Sequence, residues 1–249
     1  IAQLGLYALP VGCVSAFGPV ESILLVGEAP IDQWETVCLD RSSRSSATLA
    51  RILLDARGRK QVRYEVRDPT ECVAAVGPKT GSLLIGDLAL EVADRFAYRY
   101  DLGEMWKTWT GLPLVTALWA TREPVIDPVI LADLQQAVEA GKGALRQIAL
   151  AHAVERGEAD PTPYLRYLRD VLAYDLGRRE RLGLQEYLRK ANAAGLLPPE
   201  IRFAVPAPNH PQPRTGIDAI LSRAVQGRRI SAAEATRLFD EAPLAELGA

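Results

Sequence analysis

Between residues 20 and 122 the sequence alternates short β-favouring apolar runs with stretches of helical spacing, and this alternation limits the fold more than any other feature. "SILLVG" (22–27), "TVCLD" (36–40) and "SLLIGD" (82–87) read as buried strands, and "QVRYEV" (61–66) alternates with period two. A helix is expected from about Ser46 to Ala56, because Leu49, Ile52, Leu53 and Ala56 fall on one stripe. A further helical stretch, "LALEVADRF", leads through "AYRYDLG" and "EMWKTWTG" to "LPLVTALWATR" (112–122), which reads as a long apolar strand. Strands interleaved with helices predict an α/β protein with a mainly parallel sheet.

After this region the pattern turns helical, from Pro128 to Gly195, with breaks expected at Gly141, Gly143 and "GEADPTP" (157–163). Leu165, Leu168 and Leu172 share one face of a helix expected within residues 164–177, and the helix over 184–195 ends on Gly195 as a C-cap. The proline-rich "VPAPNHPQPRTG" (205–216) reads as a linker. Two short helices are expected beyond it, the second opened by Ser231 and Glu234 in capping-box spacing.

Composition excludes several classes of function. The chain has 249 residues, 24% charged and 48% hydrophobic, and a net charge of −2. Charges of both signs are mixed along it, so nothing marks a nucleic-acid or anionic-membrane partner. No apolar run reaches the roughly 18 residues of a membrane span, and no signal-like segment opens the chain. Cys13, Cys38 and Cys72 are widely spaced and odd in number, and read as buried apolar groups of a cytoplasmic protein. His152 and His210 lack the spacing of a metal site, and neither partners an obvious nucleophile. No glycine-rich nucleotide-binding motif is present, which leaves cofactor-free chemistry or simple binding.

One stretch has more polar groups than local structure needs. "LDRSSRSSATLARILL" (39–54) places Ser42, Ser43, Ser45 and Ser46 with Arg44 at the opening of the expected helix, where one cap suffices. It reads either as a capped helix behind a polar loop or as an anion site, in which hydroxyls join the free amides of the helix start to hold a carboxylate. Two further polar loops, at Gly86–Asp87 and in "TWTGLP" (108–113), are expected at strand ends, where α/β sheets bind ligands. Together the three favour a small acidic ligand.

"GPVES" followed by an apolar strand, the serine stretch, "LLIGDLAL" and "YDLGEMWKTWTGLPLVTALWATR" occur in an order and spacing that resemble chorismate dehydratase of the futalosine route to menaquinone, over roughly residues 1–204. The resemblance implies a two-lobed α/β fold of periplasmic-binding-protein type II, with residues 1–26 and 119–204 in the first lobe and 27–118 in the second. It implies loss of water from chorismate, giving 3-[(1-carboxyvinyl)oxy]benzoate, with no metal or other cofactor. Ser22 would lie nearest the reacting centre. Ser43, Arg44, Ser45 and Ser46 would hold a carboxylate, Gly86 and Asp87 would form the facing loop, and Thr110 and Gly111 would line the cleft. Trp106, Trp109 and Trp119 are expected to be packing residues.

The family's asparagine-bearing opening strand has no counterpart here, so one lobe is expected to be incomplete and the general base to lie outside this sequence. Within 205–249, the tail from Thr215 is similar to the opening of radical-SAM enzymes of the same pathway, which implies fusion to a downstream pathway enzyme. The alternatives are a non-catalytic lobe that binds a small carboxylate, the naphthoate synthase of the pathway, or a fused radical-SAM protein.

Overall fold

The computed structural model describes residues 5–59, 61–197 and 202–206, together with Ile220 and Ser231. Residues up to Pro206 make one compact unit and Ala207–Ala249 a second. His210, most of the proline-rich stretch and the expected helix pair therefore lie outside the described residues.

Strands β2 (Ile23–Gly27), β3 (Thr36–Asp40), β4 (Arg63–Arg67), β5 (Thr80–Ile85) and β6 (Tyr98–Asp101) form one sheet, in the order β4-β3-β5-β2-β6. β3 is parallel to β4 and β5, while β2 is antiparallel to β5 and β6. The sheet is therefore mixed. Four strands share one direction, and β2 is reversed because it arrives from another sheet and not through a helical crossover.

That other sheet pairs β1 (Tyr7–Ala16) antiparallel with β7 (Leu114–Thr121) and parallel with β9 (Arg202–Phe203). The run over 112–122 is a strand, but it does not close the larger sheet. The chain crosses between the sheets at Phe17–Ser22 and Gly111–Pro113, earlier than the expected divisions at 26/27 and 118/119. Val205–Pro206, expected to open a linker, pairs as β10 with β8 (Val125–Ile126).

Helix α1 (Arg44–Ala56) starts two residues before the expected position because Ser43 caps it, accepting from the Ser46 amide at 3.2 Å. Its buried stripe of Leu49, Ile52 and Leu53 meets Trp34, Trp106 and Leu184, Tyr187 and Leu188 of α8 (Arg178–Ala193) in the principal core. Each leucine fully buried there contributes on the order of 2 kcal/mol. A second core on the opposite face of the sheet holds Leu24, Val26, Cys38, Cys72 and Leu84. All three cysteines are free and buried, and burial pushes the Cys72 thiol up to about 12 and that of Cys13 to about 11.

Among the expected packing tryptophans, Trp106 is buried, and its indole donates to the Pro113 carbonyl at 3.1 Å, fixing the second crossing. Trp109 and Trp119 are 41% and 48% exposed, but Trp109 still packs edge-on against Trp106 at 6.2 Å, with Lys190 over its ring. Helix α5 (Pro128–Gly143) continues through Gly141, and α6 (Leu145–Glu155) follows. The helix expected within 164–177 is interrupted. α7 (Thr162–Arg166) passes into a π-helical turn at Tyr167–Val171, and Leu172 is extended because Ala173 is drawn into a bridge with Ser15 of β1. Two backbone bonds of 2.8 and 2.9 Å hold that bridge, so tertiary pairing outweighs the helical pattern there.

The first crossing is held by a carboxylate. Asp101, the N-cap of α4 (Leu102–Thr110), accepts from the amides of Gly103 and Glu104 and also from those of Val20 and Glu21, at 2.7–3.0 Å. Replacing Asp101 by alanine is expected to lower stability by about 2–3 kcal/mol, since several charge-assisted bonds to half-buried amides are lost together. Urea unfolding measures this, and an unchanged midpoint would refute the double-cap role.

Candidate functional site

The first crossing ends in a strained turn. Glu21 has φ 62, and it is the one non-glycine residue with positive φ among the described residues. Its amide is held by Asp101, and its carboxylate takes both terminal nitrogens of Arg166, one at 2.9 Å. Ser22 follows, 7% exposed, with its carbonyl accepting from the Gly86 amide at 2.8 Å. Its hydroxyl shares a 2.7 Å hydrogen bond with the Tyr167 phenol, 145 positions away. The crossing loop thus presents one buried hydroxyl beside the end of β5.

Ile23, the next residue, lines a small void together with Ser45, Ser46, Leu49, Leu114, Val115, Thr116 and Tyr187. The start of α1 therefore lies beside the start of β2, and the serine stretch and Ser22 converge from sequence positions about twenty apart. Ser43 donates to the Ser46 hydroxyl at 2.8 Å, while Tyr187 donates to the Ser45 carbonyl at 3.0 Å. Ser46 is buried, whereas Arg44 and Ser45 are exposed. The amides of Arg44 and Ser45 have no carbonyl one turn back to receive them, and the helix dipole adds partial positive charge. This end of a thirteen-residue helix can hold a carboxylate.

The remaining expected site residues divide. Gly86 and Asp87 follow β5 directly and open α3 (Gly86–Val92), Gly86 at φ 61. Asp87 is not the cap, a position taken by Ile85. Its exposed carboxylate lies 3.9 Å from Arg156, whose guanidinium also binds Glu91 and, at 3.4 Å, Glu158. A carboxylate there repels an anionic ligand, and in the structure it sits at the edge of the Arg156 cluster.

Thr110 and Gly111 do not form a strand-end loop. They close α4, with Thr110 donating to the Trp106 carbonyl at 2.8 Å and Gly111 taking φ 68 as the C-cap. A helix C-terminus carries partial negative charge, so its free carbonyls do not favour a carboxylate. Tyr167 and Tyr187 were missed in the sequence, because both fall within patterns that read as ordinary amphipathic helix.

By fold, this is an α/β protein with hydroxyls and helix-start amides gathered where the chain crosses between its sheets. Residues 3–193 match the family described as menaquinone biosynthesis, and the chain belongs to that family. A curated chorismate dehydratase from Thermus thermophilus is 32% identical over 213 residues, covering 78% of this chain and 74% of that protein. Among solved structures, the periplasmic aliphatic sulphonate binding protein of Escherichia coli is 17% identical with a TM-score of 0.47, covering 80% of this chain and 73% of that one. A putative nitrate transport protein of Thermoplasma volcanium is 16% identical with a TM-score of 0.44, covering 83% of this chain and 77% of that one.

Proposed function

We propose that this protein is a chorismate dehydratase, a carbon–oxygen lyase that converts chorismate into 3-[(1-carboxyvinyl)oxy]benzoate and water in the cytoplasm. The likeness to the Thermus enzyme over most of both chains carries this reading. In the reaction, the ring carbon bearing the ether loses a proton, and its electron pair forms the new ring double bond. Hydroxide leaves the neighbouring carbon and takes up a proton as water. The ring becomes aromatic, which supplies much of the driving force. The protein then mainly holds two carboxylates and aligns the leaving hydroxyl, work suited to fixed hydrogen-bond donors in a site that excludes water.

In this reading the amides of Arg44 and Ser45, with the hydroxyls of Ser43, Ser45 and Ser46, hold one carboxylate of the substrate. Ser22 faces the reacting carbons, and Gly86 forms the opposing backbone. The void beside Ser46 is far smaller than the roughly 300 Å³ a drug-sized ligand site needs, so substrate entry requires the elements around it to part.

The test is chromatographic. Incubated with chorismate, the protein is expected to yield the enolpyruvyl benzoate in one-to-one proportion to the chorismate lost. Chorismate that binds but persists in the presence of folded protein would refute the enzyme and favour a non-catalytic lobe for a small carboxylate.

A further inference from the structure

The bond between Ser22 and Tyr167 joins residues 145 positions apart and serves no part of the carboxylate-holding helix start. Tyr167 opens the π-helical turn Tyr167–Val171, and such turns recur where a helix must aim a side chain at a functional position. Its neighbour Arg166 grips the Glu21 carboxylate with two nitrogens, so consecutive residues of one segment clasp consecutive residues of the other. From the far side, Asp101 holds the amides of Val20 and Glu21. The strained turn before Ser22 is therefore clamped on both its backbone and its side chains. That is more restraint than starting a strand demands.

We propose that Tyr167 is a positioning residue, whose phenol donates to Ser22 Oγ and so leaves the serine's own O–H free to hydrogen-bond the departing oxygen of the substrate. The inference rests on the dehydratase reading, with Ser22 at the reacting centre. A serine hydroxyl has one proton and two lone pairs, and without a fixed partner it rotates freely. A phenol is the more acidic of the two hydroxyls and hence the better donor. Once a lone pair of Oγ is occupied, the rotor is confined and its O–H has fewer directions to take. Burial, opposed by the hydrogen bond with Ser22 and reinforced by the carboxylates of Glu21, Asp87 and Asp101, holds the Tyr167 phenol above its ordinary range, so it stays protonated and able to donate under assay conditions.

The test is a double-mutant cycle with a spectroscopic second arm. Tyr167→Phe removes only the phenolic oxygen. It is expected to lower kcat for chorismate about tenfold, the equivalent of a coupling near 1.4 kcal/mol between contacting residues, with little change in KM. In a Ser22→Ala background the same replacement should cost nothing further, because a residue that acts through Ser22 has nothing left to position. Wild-type kcat in Tyr167→Phe would overturn the proposal, and so would losses that add in the double variant. A drop in the unfolding midpoint large enough to depopulate the native state would reassign the effect to folding.

The second arm needs no turnover. In protein labelled with carbon-13 at tyrosine Cζ, the resonance that disappears in Tyr167→Phe is assigned to Tyr167, and Ser22→Ala is expected to shift it. A wild type that leaves chorismate untouched refutes the dehydratase, and the clasp is then judged on this arm. A Tyr167 signal unmoved by Ser22→Ala overturns it.

Discussion

Replacing Ser22 by alanine is expected to lower kcat for chorismate dehydration by about 100-fold or more, the range seen when one preorganised donor is removed from a reacting centre. The argument starts from burial. At 7% exposure the Ser22 hydroxyl is out of bulk water, and it is held by Tyr167 at 2.7 Å. A donor fixed in a water-poor site needs no reorganisation as charge builds on the departing oxygen, so it is worth more than the same group in solvent. KM is expected to change little, because the proposed function gives carboxylate binding to the start of α1. Alanine keeps the backbone of Ser22, including the carbonyl that accepts from Gly86. It does leave the Tyr167 phenol without its partner, which costs about 1–3 kcal/mol of stability. Kinetics should therefore be read beside an unfolding curve. A folded Ser22→Ala protein with kcat within about threefold of wild type would remove Ser22 from the chemistry.

The start of α1 was legible because it is local. A serine at the cap, further serines within one turn and an apolar stripe behind them are contained in sixteen consecutive residues, and the helix forms with Ser43 in the capping role. The α/β character was legible from periodicity for the same reason. The loop before Ser22 was not, since its geometry depends on residues 80 and 145 positions away: Asp101 on its amides, and Arg166 and Tyr167 on its side chains. Nothing about a glutamate signals positive φ, so the strain at Glu21 could not be read from "GPVES". Thr110 and Gly111 stand elsewhere than expected because "TWTG" was read as a loop at a strand end. It is a helix ended by a left-handed glycine, whose exposed polar groups are carbonyls. The direction of a strand in its sheet is equally hidden from periodicity, and β2 carries the same apolar signature whichever way it runs.

Replacing Gly81 by alanine is expected to destabilise the protein by about 2 kcal/mol, and by valine substantially more, although both would normally improve a strand. The cause is Trp34, which is wholly buried and lies flat across the larger sheet. β2 and β5 pair Val26 with Ser82, so the next step of the register sets Gly27 against Gly81, and the indole covers the two bare backbones. A Cβ at Gly81 would fall 2.3 Å from the ring, and one at Gly27 2.5 Å from it. The ring cannot retreat. Its nitrogen donates to the Ala29 carbonyl at 2.9 Å, and Tyr100 meets it edge-on at 5.7 Å. Removing the indole by Trp34→Ala should cost about 3–5 kcal/mol through lost burial and the cavity left behind. In that background the sign should reverse: Gly81 does not have positive φ, so alanine there is free to stabilise by about 0.4–1 kcal/mol through the unfolded chain. Urea unfolding of the four proteins measures the cycle. Additive effects of the two replacements would show that indole and glycine do not share one slot, whereas reversal of sign would place the tryptophan's fit against the sheet among the largest single contributions to the fold.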